Sequence, residues 1–515
     1  MLKVDKYLVG KALEIINSKS IKIVNKPNSK SKFFGKSKKV TVVTTTYNSA
    51  ITLQKCINSV IGQTFSFKQI EFIIVDDCST DDTPNILLQK AKEYSNITVV
   101  ILNENTGTPA MPRNIGIELA TTNKIMFLDS DDWLAENAIS DLVKVMDEGD
   151  NDLVVGKTVK VMDKGESVHA EFISYKERLN LSPFEIPYLF YHMGPPAKLM
   201  KLSIIKENNI RFPEVRFGED KFFFFRFLQK SSTVSTITNP IYYVNRLSSN
   251  GSSLTRTTDV LEKRSVDIDI LKYTFDINLP IEQEKSYMKR LVEYDLVKTC
   301  DSFLFIKSKQ KQKFIEYIRE SLNMLAVRPY DIIETFDSPL YQAAARLIEE
   351  DKDQDFIALF KWYKSDRNKQ IVIKNGIAYY NVNPFDDDHQ FKIIPLPLFV
   401  RAKDAYVEND QYVQTVEIYG EQIDKVHHVL IRDRNRLENE LEVPIKIHGN
   451  IGEFRVDYKD LNMLDNSLFT LFVRYDGHRL TNIKRLLESQ VTYDNREFAF
   501  YTTKANNVGF LLRKK

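Results

Sequence analysis

Three short clusters of polar residues, each closing an apolar run, carry the chemistry that this sequence can do: Thr45-Thr46-Tyr47-Asn48, Asp76-Asp77-Cys78-Ser79 and Asp129-Ser130-Asp131-Asp132. A ring such as Tyr47 can stack on a flat base, and a carboxylate such as Asp77 can accept hydrogen bonds from a uracil N–H or from ribose hydroxyls. Asp129 and Asp131 stand two apart and can offer oxygens to a hard cation such as Mg²⁺ or Mn²⁺, which neutralises a diphosphate as it leaves. Together the groups suit a uridine diphosphate sugar. Taken alone, a D-x-D pair is more often a solvated turn, so the context decides. The cluster is not an EF-hand, because no glycine occupies the sixth loop position after Asp129. Gly35-Lys36-Ser37 is not a phosphate loop, because position 30 is Lys and the segment precedes a strand instead of following one. No G-x-G-x-x-G fingerprint is present.

The elements that must position these clusters follow from hydrophobic periodicity. Strand patterns at 40–45, 70–75, 97–102, 125–128 and 152–155 alternate with helix patterns at 51–63, 84–94, 112–120 and 135–146. Leu53, Ile57, Val60 and Ile61 share one helix face, and Thr83 followed by Pro84 reads as an N-cap and first helical position. The alternation predicts a mostly parallel, doubly wound α/β sheet, in which ligands bind outside the carboxyl ends of the strands. All three polar clusters stand at such ends.

From 258 to 368 the period turns helical, with Leu291, Tyr294, Leu296 and Val297 as one apolar cluster. From 369 to 515 it becomes two, as in Ile371/Ile373, Val416/Ile418, Ile445/Ile447 and Phe498/Phe500, with turns such as Lys374-Asn375-Gly376 between runs. About seven short strands at that spacing predict an all-β, immunoglobulin-like sandwich. There is no internal repeat.

Length and composition set the frame. The 515 residues call for several domains, and the formal charge of +2 argues neither for nucleic acid nor against an anionic substrate. Cys56, Cys78 and Cys300 are too scattered for a zinc site or disulfide framework, so a reducing cytoplasm is expected. No run is long and apolar enough to span a bilayer. In the first 39 residues, Val4, Leu8, Ala12, Ile15 and Ile16 suit one helical face, followed by a lysine-rich run from Lys19 to Lys39. That extension reads either as a dock on the inner face of the cell membrane or as a solvated basic arm.

In order, Thr45-Thr46-Tyr47-Asn48, Val75-Asp76-Asp77-Cys78-Ser79, Pro112-Arg113-Asn114-Ile115-Gly116 and Leu128-Asp129-Ser130-Asp131-Asp132 resemble the motifs of family 2, GT-A-fold, inverting glycosyltransferases. The resemblance covers about residues 40–250. It implies that Thr45, Tyr47 and Asp77 contact the uridine, that Arg113 lies by the diphosphate, and that Asp131, supported by Asp129, is the principal metal ligand. Phe217-Gly218-Glu219-Asp220-Lys221 resembles the family's acidic segment, whose final aspartate is the general base, here Asp220. The alternative is an acidic pair opening a helix, with Phe222 to Phe225 as core behind it. Where the family commonly has R-x-x-H, Tyr243-Val244-Asn245-Arg246-Leu247-Ser248-Ser249 keeps Arg246 for the diphosphate and lacks the histidine.

Gly194-Pro195-Pro196-Ala197-Lys198-Leu199 and Asn209-Ile210-Arg211-Phe212-Pro213 resemble the acceptor-side region of wall teichoic acid glycosyltransferases, which place N-acetylglucosamine on poly(ribitol phosphate). Lys198, Arg211 and Arg216 could meet phosphates of a polyanionic acceptor or could cover a core. His169, His192 and the pair His427-His428 lack metal-ligand companions and read as ordinary surface or core histidines.

The resemblance implies a four-part chain: a basic extension (1–39), a Rossmann-like GT-A nucleotide-sugar domain (40–257), a helical support (258–368) and a β-rich domain (369–515) for oligomer contacts, a homotrimer, or acceptor binding. The expected activity is transfer of a sugar, N-acetylglucosamine by resemblance, from a UDP donor to a cell-wall polymer such as poly(ribitol phosphate). Capsule, glycolipid or glycoprotein transfer with the same donor, and a silent carbohydrate-binding scaffold, are the alternatives.

Overall fold

A computed structural model describes residues 2–18, 21–27, 38–215, 217–250, 259–277, 279–366, 369–484 and 489–514, and the chain divides into two units, Met1–Thr258 and Asp259–Lys515. In the first unit the strands are β1 (Lys22–Val24), β2 (Val40–Thr46), β3 (Ile70–Asp76), β4 (Ile97–Ile101), β5 (Lys124–Asp129), β6 (Trp133–Leu134), β7 (Leu153–Met162), β8 (Gly165–His169), β9 (Arg178–Leu181), β10 (Lys198–Lys201) and β11 (Val234–Asn245). The sheet order is β1-β4-β3-β2-β5-β10-β7-β11-β6, with β8 on β7 and β9 on β11. Strands β4, β3, β2 and β5 run parallel, as do β7 and β11, while β1 and β10 are antiparallel to their neighbours. The sheet is therefore mixed, where the alternation predicts mostly parallel. Strand β10 escapes the periodicity because its four residues, Lys-Leu-Met-Lys, set two cations around a two-residue apolar core.

The helices are α1 (Leu2–Asn17), α2 (Leu53–Ile61), α3 (Thr83–Glu93), α4 (Ala110–Leu119), α5 (Ala138–Gly149), α6 (Glu171–Ser174), α7 (Leu202–Glu207) and α8 (Glu219–Lys230). Helix α2 buries Leu53, Cys56, Ile57 and Val60, the stripe that its apolar spacing dictates. Helix α3 begins at Thr83 itself, whose Oγ1 accepts the Ser49 N–H at 2.9 Å and so ties the helix start to the end of β2. Helix α4 lies close against β2, because a Cβ at Gly116 would stand 2.3 Å from Val43 Cγ1. One turn earlier, that close approach delivers Arg113 to the carboxyl end of the sheet. Burying such aliphatic side chains contributes about 1.5–3 kcal/mol each, which is what holds helices and sheet together.

The N-terminal segment is a correction. Leu8, Ala12 and Ile16 are buried, α1 packs on α4, and Lys11 forms an ion pair with Glu214 at 2.7 Å. Of the face offered above to a membrane, Leu8, Ala12 and Ile16 are packed within this unit. Lys22–Val24 adds a strand to β4, and Gly35-Lys36-Ser37 lies outside the described residues. Among those described, no helix is long and apolar enough to cross a membrane.

The second unit opens with helices, including Val260–Asp276, Lys311–Leu325, Pro339–Glu349 and Asp353–Ser365. Strands follow: a three-stranded antiparallel sheet of Ile371–Lys374, Ile377–Asn381 and Ile393–Pro395, then a sheet of ten strands. In the larger sheet, pairing runs Val426–Asp433, Glu440–His448, Ile451–Asp457, Gln411–Tyr419, Phe399–Glu408, Arg479–Lys484, Ser467–Tyr475 and back to Val426–Asp433. That closure encloses a core of Val416, Ile418, Val429, Ile431, Leu471, Val473 and neighbours. The all-β half expected from the alternation is present as a closed sheet. The extra strands, such as Phe399–Glu408, escape the alternation because their outer residues mix charge and apolar side chains.

Candidate active site

Strand register brings the three polar clusters level. Thr45 on β2 pairs with Val75 of β3 and with Asp129 of β5, Thr46 pairs with Asp76, and the Asp77 N–H donates to the Thr46 carbonyl at 2.9 Å. Strand order reverses between β2 and β5, so a crevice at their carboxyl ends is expected. Tyr47 stands there 51% exposed, free to stack, with Thr45 half-buried behind it. The Asp77 carboxylate is buried and accepts from Thr106 N and Thr106 Oγ1 at 3.0 to 3.1 Å. It thereby fixes the loop after β4, and burial raises its pKa above the ordinary carboxylate value despite those donors.

Beside them Asp129, Asp131 and Asp132 crowd together. Asp131 accepts from Asn250 Nδ2 at 2.8 Å, and Asp132 accepts from the Asn245 N–H at 2.7 Å. The Asp129 N–H donates to the Tyr242 hydroxyl at 3.0 Å. Burial, and then the neighbouring aspartates, push the pKa values of Asp131 and Asp132 upward, an electrostatic debt that a cation would relieve. Asp129 and Asp131 are hard oxygen donors of the kind that hold Mg²⁺ or Mn²⁺. Among the described residues no group of three or more His, Cys, Asp or Glu side chains forms a ready cage. The set fits a cation held by one or two carboxylates and completed by substrate phosphates.

Arg113 ties this cluster to a second one. Its guanidinium donates to Asp129 Oδ1 through Nη2 and to Glu219 Oε1 through Nη1, each at 2.9 Å. Although burial opposes its charge, the two carboxylates hold its proton more tightly than usual. Glu219 and Asp220 open α8 behind Gly218, which adopts φ of 82°. Burial and the Asp220 charge raise Glu219 to about 7. Asp220 is also raised by burial, with Arg113 and Lys221 pulling the other way, and its Oδ1 accepts the Lys221 N–H at 2.8 Å. A continuous contact path thus runs from Asp77 through β2 and Asp129 to Arg113 and the acidic pair.

The glycosyl transferase family 2 model matches residues 41–225. A Staphylococcus aureus poly(ribitol-phosphate) beta-N-acetylglucosaminyltransferase, TarP, is 34% identical over 40% of this chain and 62% of its own length. A Bacillus spizizenii poly(ribitol-phosphate) beta-glucosyltransferase is 32% identical over 40% of this chain and 32% of its own length. The chain thus covers less than two thirds of these relatives. Among solved structures, S. aureus TarS is similar over 93% of this chain and 85% of that one, with a TM-score of 0.56 at 17% identity. Its 1–349 fragment in complex with UDP-GlcNAc gives 0.57 at 19% identity, over 69% of this chain and 99% of the fragment. The first unit has the GT-A architecture.

The remaining sequence candidates separate. Arg246 lies near Asp131, whose pKa its charge lowers, and its Nη1 donates to the Asn245 carbonyl at 3.1 Å. Lys198 is buried on β10 and bonds His192 Nδ1 at 3.1 Å and the Gly194 carbonyl at 2.6 Å, so it is no surface contact for an acceptor phosphate. Arg211 is buried, paired with Glu118 and donating to the Ile210 carbonyl at 2.7 Å, so it covers a core. Arg216 lies outside the described residues. His169 and His192 stack edge to face at 5.5 Å, and burial drives both toward neutrality, His169 to about 4. His427 accepts the Gly477 N–H at 3.1 Å, and His428 lies 3.3 Å from Glu442.

Sequence reasoning missed four supports: Thr106 for Asp77, Asn250 for Asp131, Asn245 for Asp132, and the partnership of Glu219 with Arg113. Only the last left a signal, the acidic pair itself.

Proposed function

We propose that this chain is an inverting, metal-dependent glycosyltransferase that moves a sugar, N-acetylglucosamine, from its UDP donor to a hydroxyl of poly(ribitol phosphate). One observation carries the reading: Arg113 joins the Asp129 cluster to the Glu219-Asp220 pair at 2.9 Å on each side, which supports a leaving-group site beside a base site. That TarP and the Bacillus relative are poly(ribitol-phosphate) transferases supports a polyol-phosphate acceptor, and the UDP-GlcNAc complex of TarS supports the donor.

In this reading Tyr47 stacks on uracil while Thr45 and Asp77 hold the nucleoside. A divalent cation at Asp131 and Asp129 would neutralise the departing diphosphate. Arg246 adds positive charge at the same rim, and Arg113, itself committed to two carboxylates, keeps the Asp129 side of the rim in place. Asp220 accepts the proton of the attacking hydroxyl on the face opposite the diphosphate, and its raised pKa makes it a better base than an exposed carboxylate. Self-association through the strand-rich half, as a homotrimer, belongs to the same reading and is checked by sedimentation of the full chain.

The test is a screen of UDP-sugars with poly(ribitol phosphate), reading UDP release and the anomeric configuration of the product by NMR. A β-linked N-acetylglucosaminyl polymer is expected. Release with UDP-glucose alone would move the donor assignment to glucose. Absence of transfer from any UDP-sugar would overturn the reading.

A further inference from the structure

A cleft of about 920 Å³ in the second unit is walled by the rings of Tyr363 and Tyr380 and carries Lys369, Lys484 and Arg401. Arg401 and Lys484 are direct partners on adjacent parallel strands, a register that sets like charges side by side. Arg401 is offset by its ion pair with Glu417. Neither lysine has a carboxylate within ion-pair distance among the described residues, whereas the nearby Lys364 is paired with Asp301 at 2.8 Å. Lys369 Nζ donates to the Asp366 carbonyl at 2.6 Å and lies 4.8 Å from the Tyr363 ring centre, and Lys484 Nζ donates to Asn507 Oδ1.

Burial destabilises both ammonium groups. For Lys369, the charges of Asp366 and Asp301 oppose that effect, while Lys364 and Lys484 add to it. Asp301 is itself engaged by Lys364 and by the Tyr341 hydroxyl at 3.1 Å. Half-buried cations that line one roomy cleft lower the stability of the fold, and an anion bound among them would reverse the sign. The volume exceeds that of one phosphate several-fold and lies in the range of sites that take extended small ligands. The aromatic wall would cover a carbon chain between anionic groups.

We propose that this cleft binds the phosphodiester backbone of a polyol-phosphate chain, as a contact with the acceptor polymer that is separate from the transfer site. The inference rests on the polymeric acceptor proposed above.

The test is lysine acylation of the full chain, followed by mass spectrometry, with and without purified poly(ribitol phosphate), and with inorganic phosphate at the same phosphate concentration. The polymer should slow modification of Lys369 and Lys484 about tenfold, with little effect of inorganic phosphate, the size expected for a hydrogen bond to a charged group. The double substitution Lys369→Gln and Lys484→Gln should raise KM for the polymer about tenfold at unchanged kcat and unchanged UDP-sugar hydrolysis. Equal modification rates with and without polymer would overturn the proposal, and equal protection by inorganic phosphate would overturn the polymer assignment. Transfer to the polymer, measured alongside, reports on the proposed function separately. Protection without transfer would keep the cleft and remove that function. Transfer without protection would remove the cleft alone.

Discussion

The rim of the first unit and the cleft of the second are built from opposite charges. At the rim, Asp76, Asp77, Asp129, Asp131 and Asp132 stand at neighbouring strand ends with Glu219 and Asp220 beyond them, and Arg113 is the cation bonded to both clusters. In the cleft, Lys369, Lys484 and Arg401 gather with Glu417 as the bonded counter-charge. Both arrangements cost stability when empty, because buried like charges raise carboxylate pKa values and lower lysine ones. In the proposed reading, charge of one sign that its neighbours balance only in part marks where a ligand of the other sign binds, a cation with a diphosphate at the rim and an anionic chain in the cleft.

Substitutions at the rim test that contrast from its strongest side. Asp220→Asn should lower kcat by about 10² to 10⁴ while UDP binding, measured by calorimetry, stays unchanged. Arg113→Gln leaves Asp129 and Glu219 without their shared partner, so denaturant unfolding should report a loss of about 3–5 kcal/mol. Asn250→Ala removes the side chain that orients Asp131, and a metal titration of UDP-sugar hydrolysis should show about tenfold weaker cation affinity.

The smallest effect concerns pH. Glu219 is raised from 4.5 to about 7 by burial beside Asp220, so the protonated form is the one the fold prefers. Its contribution is fully present below pH 4.5 and is lost as pH rises toward 7. Glu219→Gln should flatten that part of the stability profile, measured by thermal unfolding between pH 4.5 and 7 in the absence of metal and nucleotide. An unchanged profile in the variant would assign the slope to another group.

Much of the rim was legible because a strand buried on both faces reads as an apolar run, and such a run stops abruptly where the chain meets the crevice. Thr45, Asp77 and Asp129 stand at these stops, and the parallel register then aligns them. What was not legible depends on contacts between distant positions. The bond from Arg113 to Glu219 spans 106 positions, and that from Asn250 to Asp131 spans 119, without a local pattern for either. The place of Lys198 is left open by the sequence between a phosphate contact and a core cover for a related reason: only the fold shows that the carbonyl of Gly194 and the ring of His192 receive its ammonium inside. Sheet closure in the second unit likewise rests on the pairing of Val426–Asp433 with Ser467–Tyr475, which alternation cannot specify.

The most direct test of the central claim is turnover of UDP-N-acetylglucosamine with poly(ribitol phosphate) by the unmodified chain, by Asp131→Ala and by Asp220→Asn, each with Mn²⁺ and with EDTA. The account predicts transfer by the unmodified chain with Mn²⁺, its loss in EDTA and in both variants, and retained UDP binding by Asp220→Asn. Turnover by Asp220→Asn at the unmodified rate would contradict it.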